Sequence, residues 1–143
     1  MSVLALASGV FASRGFAGAA GSGLVSIEAG HTITKVRTAR RADSTYIVAS
    51  SYEGTVLGIG YDGSILWKNA LSGFVNHDLW CSDITENGSD EILAANADGT
   101  VYCLDSSGEL QWQFRTNDAP MFSVCVVHHS ETPYVVCGGF DKS

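Results

Sequence analysis

The chain repeats itself, without a gap, at a spacing of 45 residues. Gly54 and Gly99 are separated by that distance (99 − 54 = 45), and so are Trp67 and Trp112 (112 − 67 = 45). Residues 46–69 read YIVASSYEGTVLGIGYDGSILWKN, and residues 91–114 read EILAANADGTVYCLDSSGELQWQF. Ile47/Ile92, Ala49/Ala94, Thr55/Thr100, Val56/Val101 and Gly63/Gly108 are also identical between the copies. In both, an acidic-Gly-Thr-Val sequence joins two apolar runs rich in Val, Ile, Leu and Tyr, the residues that suit pleated, half-buried backbone.

A period in the forties, built from short strands and Gly turns, predicts blades of a β-propeller. Each unit reads as four antiparallel strands. The first comprises Ile33–Arg37, Tyr46–Ser51, Thr55–Gly60 and Ile65–Asn69. The second comprises His77–Ile84, Glu91–Asn96, Thr100–Asp105 and Leu110–Arg115. A third has Phe122–Val127 and Tyr134–Gly138, with Asp141 taking the place of Asp98. Asn87-Gly88, Asp98-Gly99 and Ser107-Gly108 mark the turns. No stretch has the 3.6-residue apolar spacing of a helix. The expected fold is therefore all-β: a propeller fragment of about three four-stranded blades, at 31–69, 77–115 and 122–143. Propellers close with about four to eight blades, so the remaining blades are expected in the same longer chain. Residues 1–30 lack a clean repeat. Val3–Ala12 with Ala17-Gly18-Ala19 has features of a signal peptide, whereas Ser22–Ala29 also fits the outer strand of a preceding blade, and both readings stand.

Trp67 and Trp112 each fall four residues after a turn glycine. A feature that follows the period is a packing element, because a ligand site breaks repeat symmetry. Both are expected to plug the gap between consecutive blades.

Charge narrows the partners. The formal net charge is −7, which opposes binding to nucleic-acid phosphates. Lys35, Arg37, Arg40 and Arg41 form the one basic cluster and read as a solvated strand end and loop. No apolar run approaches the roughly 20 residues that span a bilayer. Cys81, Cys103, Cys125 and Cys137 show no CxxC spacing and sit inside apolar runs, where a free Cys acts as a small hydrophobe. A single Cys125–Cys137 disulfide is conceivable from their place on neighbouring strands.

The segment 98–114, DGTVYCLDSSGELQWQF, resembles the repeat of pyrroloquinoline-quinone-like propellers, and 53–69 is a looser copy with Gly60 where that repeat has Asp. The resemblance spans about residues 46 to 143. It implies a propeller fold. It implies a quinone only where adjacent cysteines and calcium support it, and no Cys-Cys pair occurs here. Residues 83–92, DITENGSDEI, resemble the FG-GAP type of calcium loop. That likeness implies Asp83, Thr85, Asn87 and Glu91 as ligands of a weak calcium site, since calcium takes about six to eight oxygens. The same residues also read as an Asn-Gly hairpin turn with solvated acids.

No nucleophile elbow and no phosphate loop occurs. His31 and His77, 46 residues apart (77 − 31 = 46), each fall near the start of an innermost strand, where a propeller channel opens. With Asp78 they are the expected ligand rim, or else exposed loop residues. Two functions are carried forward: a non-catalytic binding or scaffold propeller, with a protein or a carbohydrate as ligand, and the propeller part of an extracellular or periplasmic enzyme, either carbohydrate-active or a quinoprotein dehydrogenase. A cytoplasmic setting stays open.

Overall fold

The computed structural model describes residues 3–7, 24–115 and 117–140. Ala17–Ala19 and Asp141 lie outside the described residues. Ten of the twelve strands among the described residues fall into blades. β3 (Ile33–Arg41), β4 (Ser44–Ser51), β5 (Val56–Ile59) and β6 (Ile65–Asn69) form one antiparallel sheet in sequence order. β7 (Asn76–Ser82), β8 (Glu91–Asn96), β9 (Thr100–Leu104) and β10 (Leu110–Arg115) form a second. β11 (Met121–His129) and β12 (Thr132–Gly139) are an antiparallel pair opening a third. β1 (Val3–Ala7) and β2 (Leu24–Glu28) pair with each other in parallel. There is no helix among the described residues.

The cores lie between sheets, and this explains the strands that are apolar on both faces. From β4 and β8 alternate residues leave on opposite sides. Val48 meets Ile92 and Ala94 in a cluster that also holds Ala39, Tyr46, Val56, Leu79 and Leu104. Leu93 and Ala95, the other face of β8, pack with Val101, Cys103, Met121 and Val124. Ile47 and Ala49, the other face of β4, pack with Leu57, Ile59 and Ile27 of β2. Each of the two four-stranded sheets is thus a layer between two neighbours, as the 45-residue repeat requires.

The acidic-Gly-Thr-Val motif has a local cause. Gly54 and Gly99 adopt φ of 88° and 89°. A Cβ on Gly54 would sit 2.4 Å from the carbonyl oxygen of Phe74, and one on Gly99 would sit 2.5 Å from that of Asn117. In each blade the linker to the next crosses the turn at van der Waals contact, so a side chain is excluded twice over.

Strand edges differ from the sequence reading at the inner hairpins. β3 runs to Arg41 and turns through Ala42-Asp43, and β11 runs to His129 and turns through Ser130-Glu131. The segments 38–45 and 128–133, read as loops, are mostly strand. Ala42, Ser130 and Glu131 take positive φ (51°, 48° and 67°). These primed-type turns match the twist of long hairpins without the Asn-Gly signal that announces them.

Tyr46 is 3% exposed, meets Trp67 edge-on at 6.2 Å, and its hydroxyl has no hydrogen-bond partner among the described residues. Burial raises its pKa, so the hydroxyl stays neutral. An orphaned buried hydroxyl costs about 1–3 kcal/mol. Tyr46→Phe is therefore expected to leave the fold intact and raise its stability by about 1 kcal/mol, read as a higher denaturation midpoint in urea. A lower midpoint would mean that the hydroxyl is used.

Candidate functional site at the rim of the inner strands

The three inner strands open at one end, and the same hydrogen bond closes each blade there. Tyr52 N donates to Thr32 O (2.8 Å), Ala97 N to Val75 O (2.9 Å) and Phe140 N to Pro120 O (3.3 Å). Just inside that bond each inner strand carries a bulge. The register shifts between Ile33 and Lys35, between Asn76 and Asp78, and between Met121 and Ser123. The bulged residues are Thr34, His77 and Phe122. A bulge bends its strand and re-aims its side chain, here once per blade at the channel rim.

His77 stacks on Phe122, with ring centroids 4.4 Å apart and planes 9° from parallel. Phe140 meets Phe122 edge-on at 4.6 Å and 78°. Phe122 and Phe140 remain 41% and 71% exposed. Tyr52, the counterpart of Phe140 in the first blade, is also exposed, as is Phe74 in the linker between the first two blades. The rim therefore presents aromatic rings from three consecutive units.

His31 does not join this stack. Its Nδ1 lies 3.6 Å from Glu53, whose carboxylate also accepts from Thr32 N. Hydrogen bonds from its own backbone N–H, from Ser51 and from Thr32 hold the Glu53 carboxyl below the usual range against an opposing effect of desolvation. The register counterpart of His77 is Thr34 rather than His31. Asp78 sits beside the stack but is spent within the fold. It accepts from Val124 N (3.2 Å) and faces Arg37 at 3.7 Å, so it ties the inner strands of all three blades together. Sequence reasoning missed Phe122 and Phe140. A one-residue bulge breaks the alternation by which faces are read, and one signal was available: the 45-residue spacing of His77 and Phe122 (122 − 77 = 45).

The acidic loop of the second blade works as a clasp. Asp83 accepts from Asn87 N (3.0 Å) and Gly88 N (2.8 Å). Glu91, 4% exposed, accepts from Ile84 N, Thr85 N and Thr85 Oγ1. Asn87 accepts from Ser89 N. Asp90 accepts from Arg40 N at 2.7 Å, Arg40 accepts from Asp90 N in return, and the Arg40 guanidinium faces Asp90 at 3.4 Å and Asp83 at 3.9 Å. Asp83 and Glu91 thus serve separate sets of N–H groups, and among the described residues no group of three or more His, Cys, Asp or Glu side chains is disposed to hold a metal ion. The melting temperature in millimolar calcium decides between the two readings of this loop: a rise that Asp83→Ala removes puts the ion there, and no shift leaves an Asn-Gly turn.

Two of the four residues of the basic cluster pair with acids while staying partly exposed. Arg37 and Arg40 pair with acids of the next blade. The inter-blade register that brings Asp78 and Asp90 to β3 cannot be seen in β3 alone. The cysteines are all free. Cys137 is opposite Val124, whereas Cys125 is opposite Val136, so the two thiols leave opposite faces of the hairpin and the conceivable disulfide does not form. Burial pushes the thiols of Cys81 and Cys103 up to about 12, which keeps them protonated and unreactive.

Residues 46–143 match the lambda-carrageenase beta-propeller domain. The chain belongs to that propeller family. Over 122 residues, 85% of the chain, it is 51% identical to lambda-carrageenases of Pseudoalteromonas sp. and Pseudoalteromonas carrageenovora, covering 13% of each. The chain thus spans about an eighth of the length of these curated relatives. In solved structures the fold resembles BBS1N in complex with ARL6DN, with a TM-score of 0.59 at 19% identity over 82% of this chain and 36% of that one. At that identity the likeness speaks for the propeller fold alone. Membership of the lambda-carrageenase propeller family makes this an all-β propeller segment of a longer protein, related to a carbohydrate-active enzyme.

Proposed function

We propose that this chain is a non-catalytic, polysaccharide-contacting propeller segment of an enzyme of the lambda-carrageenase kind. The observation that carries the reading is the exposed aromatic group at the rim, His77, Phe122 and Phe140. A pyranose presents a face of C–H bonds carrying partial positive charge. Aromatic faces are negative at the centre, so rings on a rigid rim bind sugars by stacking while the sugar hydroxyls stay in water. The described residues offer no paired acids at this rim: Glu53 is engaged by Thr32 and His31, and Asp78 by Arg37 and Val124. The rim suits holding a polymer better than cleaving it. An extracellular setting goes with this reading, because such polymers do not enter cells.

Lambda-carrageenan is a sulfated, polyanionic galactan, and the chain carries a formal charge of −7. Stacking has to outweigh charge repulsion, so binding should strengthen as salt screens it. The test is affinity electrophoresis of the chain in gels containing lambda-carrageenan, with agarose as the neutral comparison. Retardation in lambda-carrageenan, lost in Phe122→Ala and Phe140→Ala with no release of reducing ends, is the expected result. Mobility unaffected by either substitution would remove the rim from the proposal, and reducing ends released by the chain alone would overturn its non-catalytic part.

A further inference from the structure

At the rim the blades share one corner, where the turn between the second and third strands meets the linker to the next blade. In the first blade Tyr52 stands in that turn and Phe74 in that linker. In the second the same positions hold Ala97 (97 − 52 = 45) and Ala119 (119 − 74 = 45). In the third, Phe140 takes the place of Tyr52 and meets the His77–Phe122 stack. Large rings therefore flank a low corner. The backbone of the corner follows the repeat, as packing does. Its side chains break the repeat, as a ligand site does.

The first corner has a fixed backbone. Tyr52 N donates to Thr32 O (2.8 Å) and Gly54 N to Ser51 O (3.1 Å). A Cβ on Gly54 would sit 2.4 Å from Phe74 O, so turn and linker are in contact. Asn96 Nδ2 donates to Phe74 O (2.8 Å) and Asn76 Nδ2 to Gly54 O (3.0 Å). Yet Tyr52 and Phe74 are 65% and 59% exposed, which no packing role requires. A fixed backbone under exposed rings lowers the ordering cost of binding. Charge favours the same end. Among the described residues, the connections 42–43, 60–64, 83–90, 105–109 and 130–131, away from the rim, hold eight acids and no Lys or Arg. The rim connections 29–32, 52–55, 70–75, 97–99 and 117–120 hold three, Glu53, Asp98 and Asp118. His31 faces Glu53, and Arg115 pairs with Asp118. The six residues of β8 put about 20 Å between the two ends, more than two Debye lengths at physiological salt. A polyanion that meets the rim is therefore screened from the acidic end.

We propose that Tyr52 and Phe74 form a second sugar-stacking platform, and that one polysaccharide chain bridges from it, over Ala97 and Ala119, to His77, Phe122 and Phe140. The proposal rests on the polysaccharide reading of the rim and adds to it a second contact and a path. The platforms belong to the first and third blades, two sheet spacings or about 20 Å apart. A polymer reaches both, and a disaccharide reaches one. The small side chains of the second corner leave room for the chain between them. Once one platform is occupied, the other is bound intramolecularly, at an effective concentration set by the polymer segment that joins them. Two weak stacking contacts then hold a polymer firmly without an enclosed pocket.

The test is affinity electrophoresis of the 143-residue chain over a range of lambda-carrageenan concentrations, beside titration with a lambda-carrageenan disaccharide followed by the NMR signals of the His77 ring. Tyr52→Ala combined with Phe74→Ala is expected to weaken retention by the polymer on the order of 100-fold. The same double variant should bind the disaccharide at His77 as the wild type does. Because both side chains are exposed, its melting temperature should stay within about 2 °C of the wild type. Tyr52→Phe combined with Phe74→Tyr keeps the rings and should keep the retention. Phe122→Ala should lose both polymer and disaccharide. Undiminished retention of the alanine double variant, with retention lost in Phe122→Ala, would overturn the second platform and leave the rim reading standing. An equal loss of polymer and disaccharide binding in the double variant would also overturn it, because both would then occupy a single site. A wild-type chain that the polymer does not retain would remove the rim reading and the bridge together.

Discussion

Trp67→Ala is expected to destabilise the chain by about 3 kcal/mol, near the lower end for removal of a large aromatic side chain because Trp67 is only partly buried. The loss has three parts: the ring's packing against Tyr46 and the cluster of Val48, Val56 and Ile92, the cavity left between two blades, and the Ser106 carbonyl without its donor. For a domain of this length the melting temperature should fall by roughly 10 °C. Chemical denaturation of the purified variant measures it. The same substitution at Trp112 should change the same chain by less than about 1 kcal/mol, as for other half-exposed residues away from a seam. Two residues identical in type and repeat position would then differ because one has a neighbour and the other does not. A small effect at Trp67 would mean that the blades are held together elsewhere.

Asn96→Ala is expected to cost about 3 kcal/mol or more, because a buried network loses its centre. Asn96 is fully buried and donates to Phe74 O and to Asn76 Oδ1, while its own Oδ1 accepts from Asp98 N and Ser72 Oγ. Asn76, equally enclosed, donates onward to Gly54 O. Together they bind the second blade to the Gly54 turn and the linker of the first. Removing Asn96 strands the Phe74 carbonyl and the Asn76 amide oxygen in a site that water does not reach. The check is the urea midpoint, together with faster amide exchange at Asp98 and over 72–76, which a loss spread evenly over the chain would not single out. Asp98 offers a second readout. Burial works against its charge, but hydrogen bonds from Tyr102, Ser72 and Thr100 outweigh it and hold the carboxyl below its usual range. Loosening this corner should raise the Asp98 pKa toward that of an exposed carboxylate.

The amino-acid sequence by itself determined the repeat, and through the repeat the blade. The strands β6, β8 and β10 have the limits read from the residues, because turn glycines and the apolar alternation are local. The plugging role of Trp67 was legible for the same reason: a residue that recurs with the period serves the contact that recurs with it. The tertiary structure decided what depends on one blade's register against the next. Arg37 and Arg40 read as a basic surface until Asp78, Asp83 and Asp90 of the neighbouring sheet reach them. Trp112 reads as a plug like Trp67, yet it is 37% exposed. Asp83 and Glu91, the calcium ligands that the loop's resemblance implies, accept hydrogen bonds from separate sets of loop groups. Of the residues expected at the rim, His77 joins an aromatic stack, Asp78 is tied to Arg37 and Val124, and His31 lies beside Glu53. A single bulge per inner strand exchanges the two faces, and it brings His77 and Phe122 into one stack while leaving His31 with Glu53. Periodicity in a chain reports which positions are equivalent. Which of them meet across a seam is set by twist, bulges and the neighbour's presence, and none of these is written in the spacing of the residues.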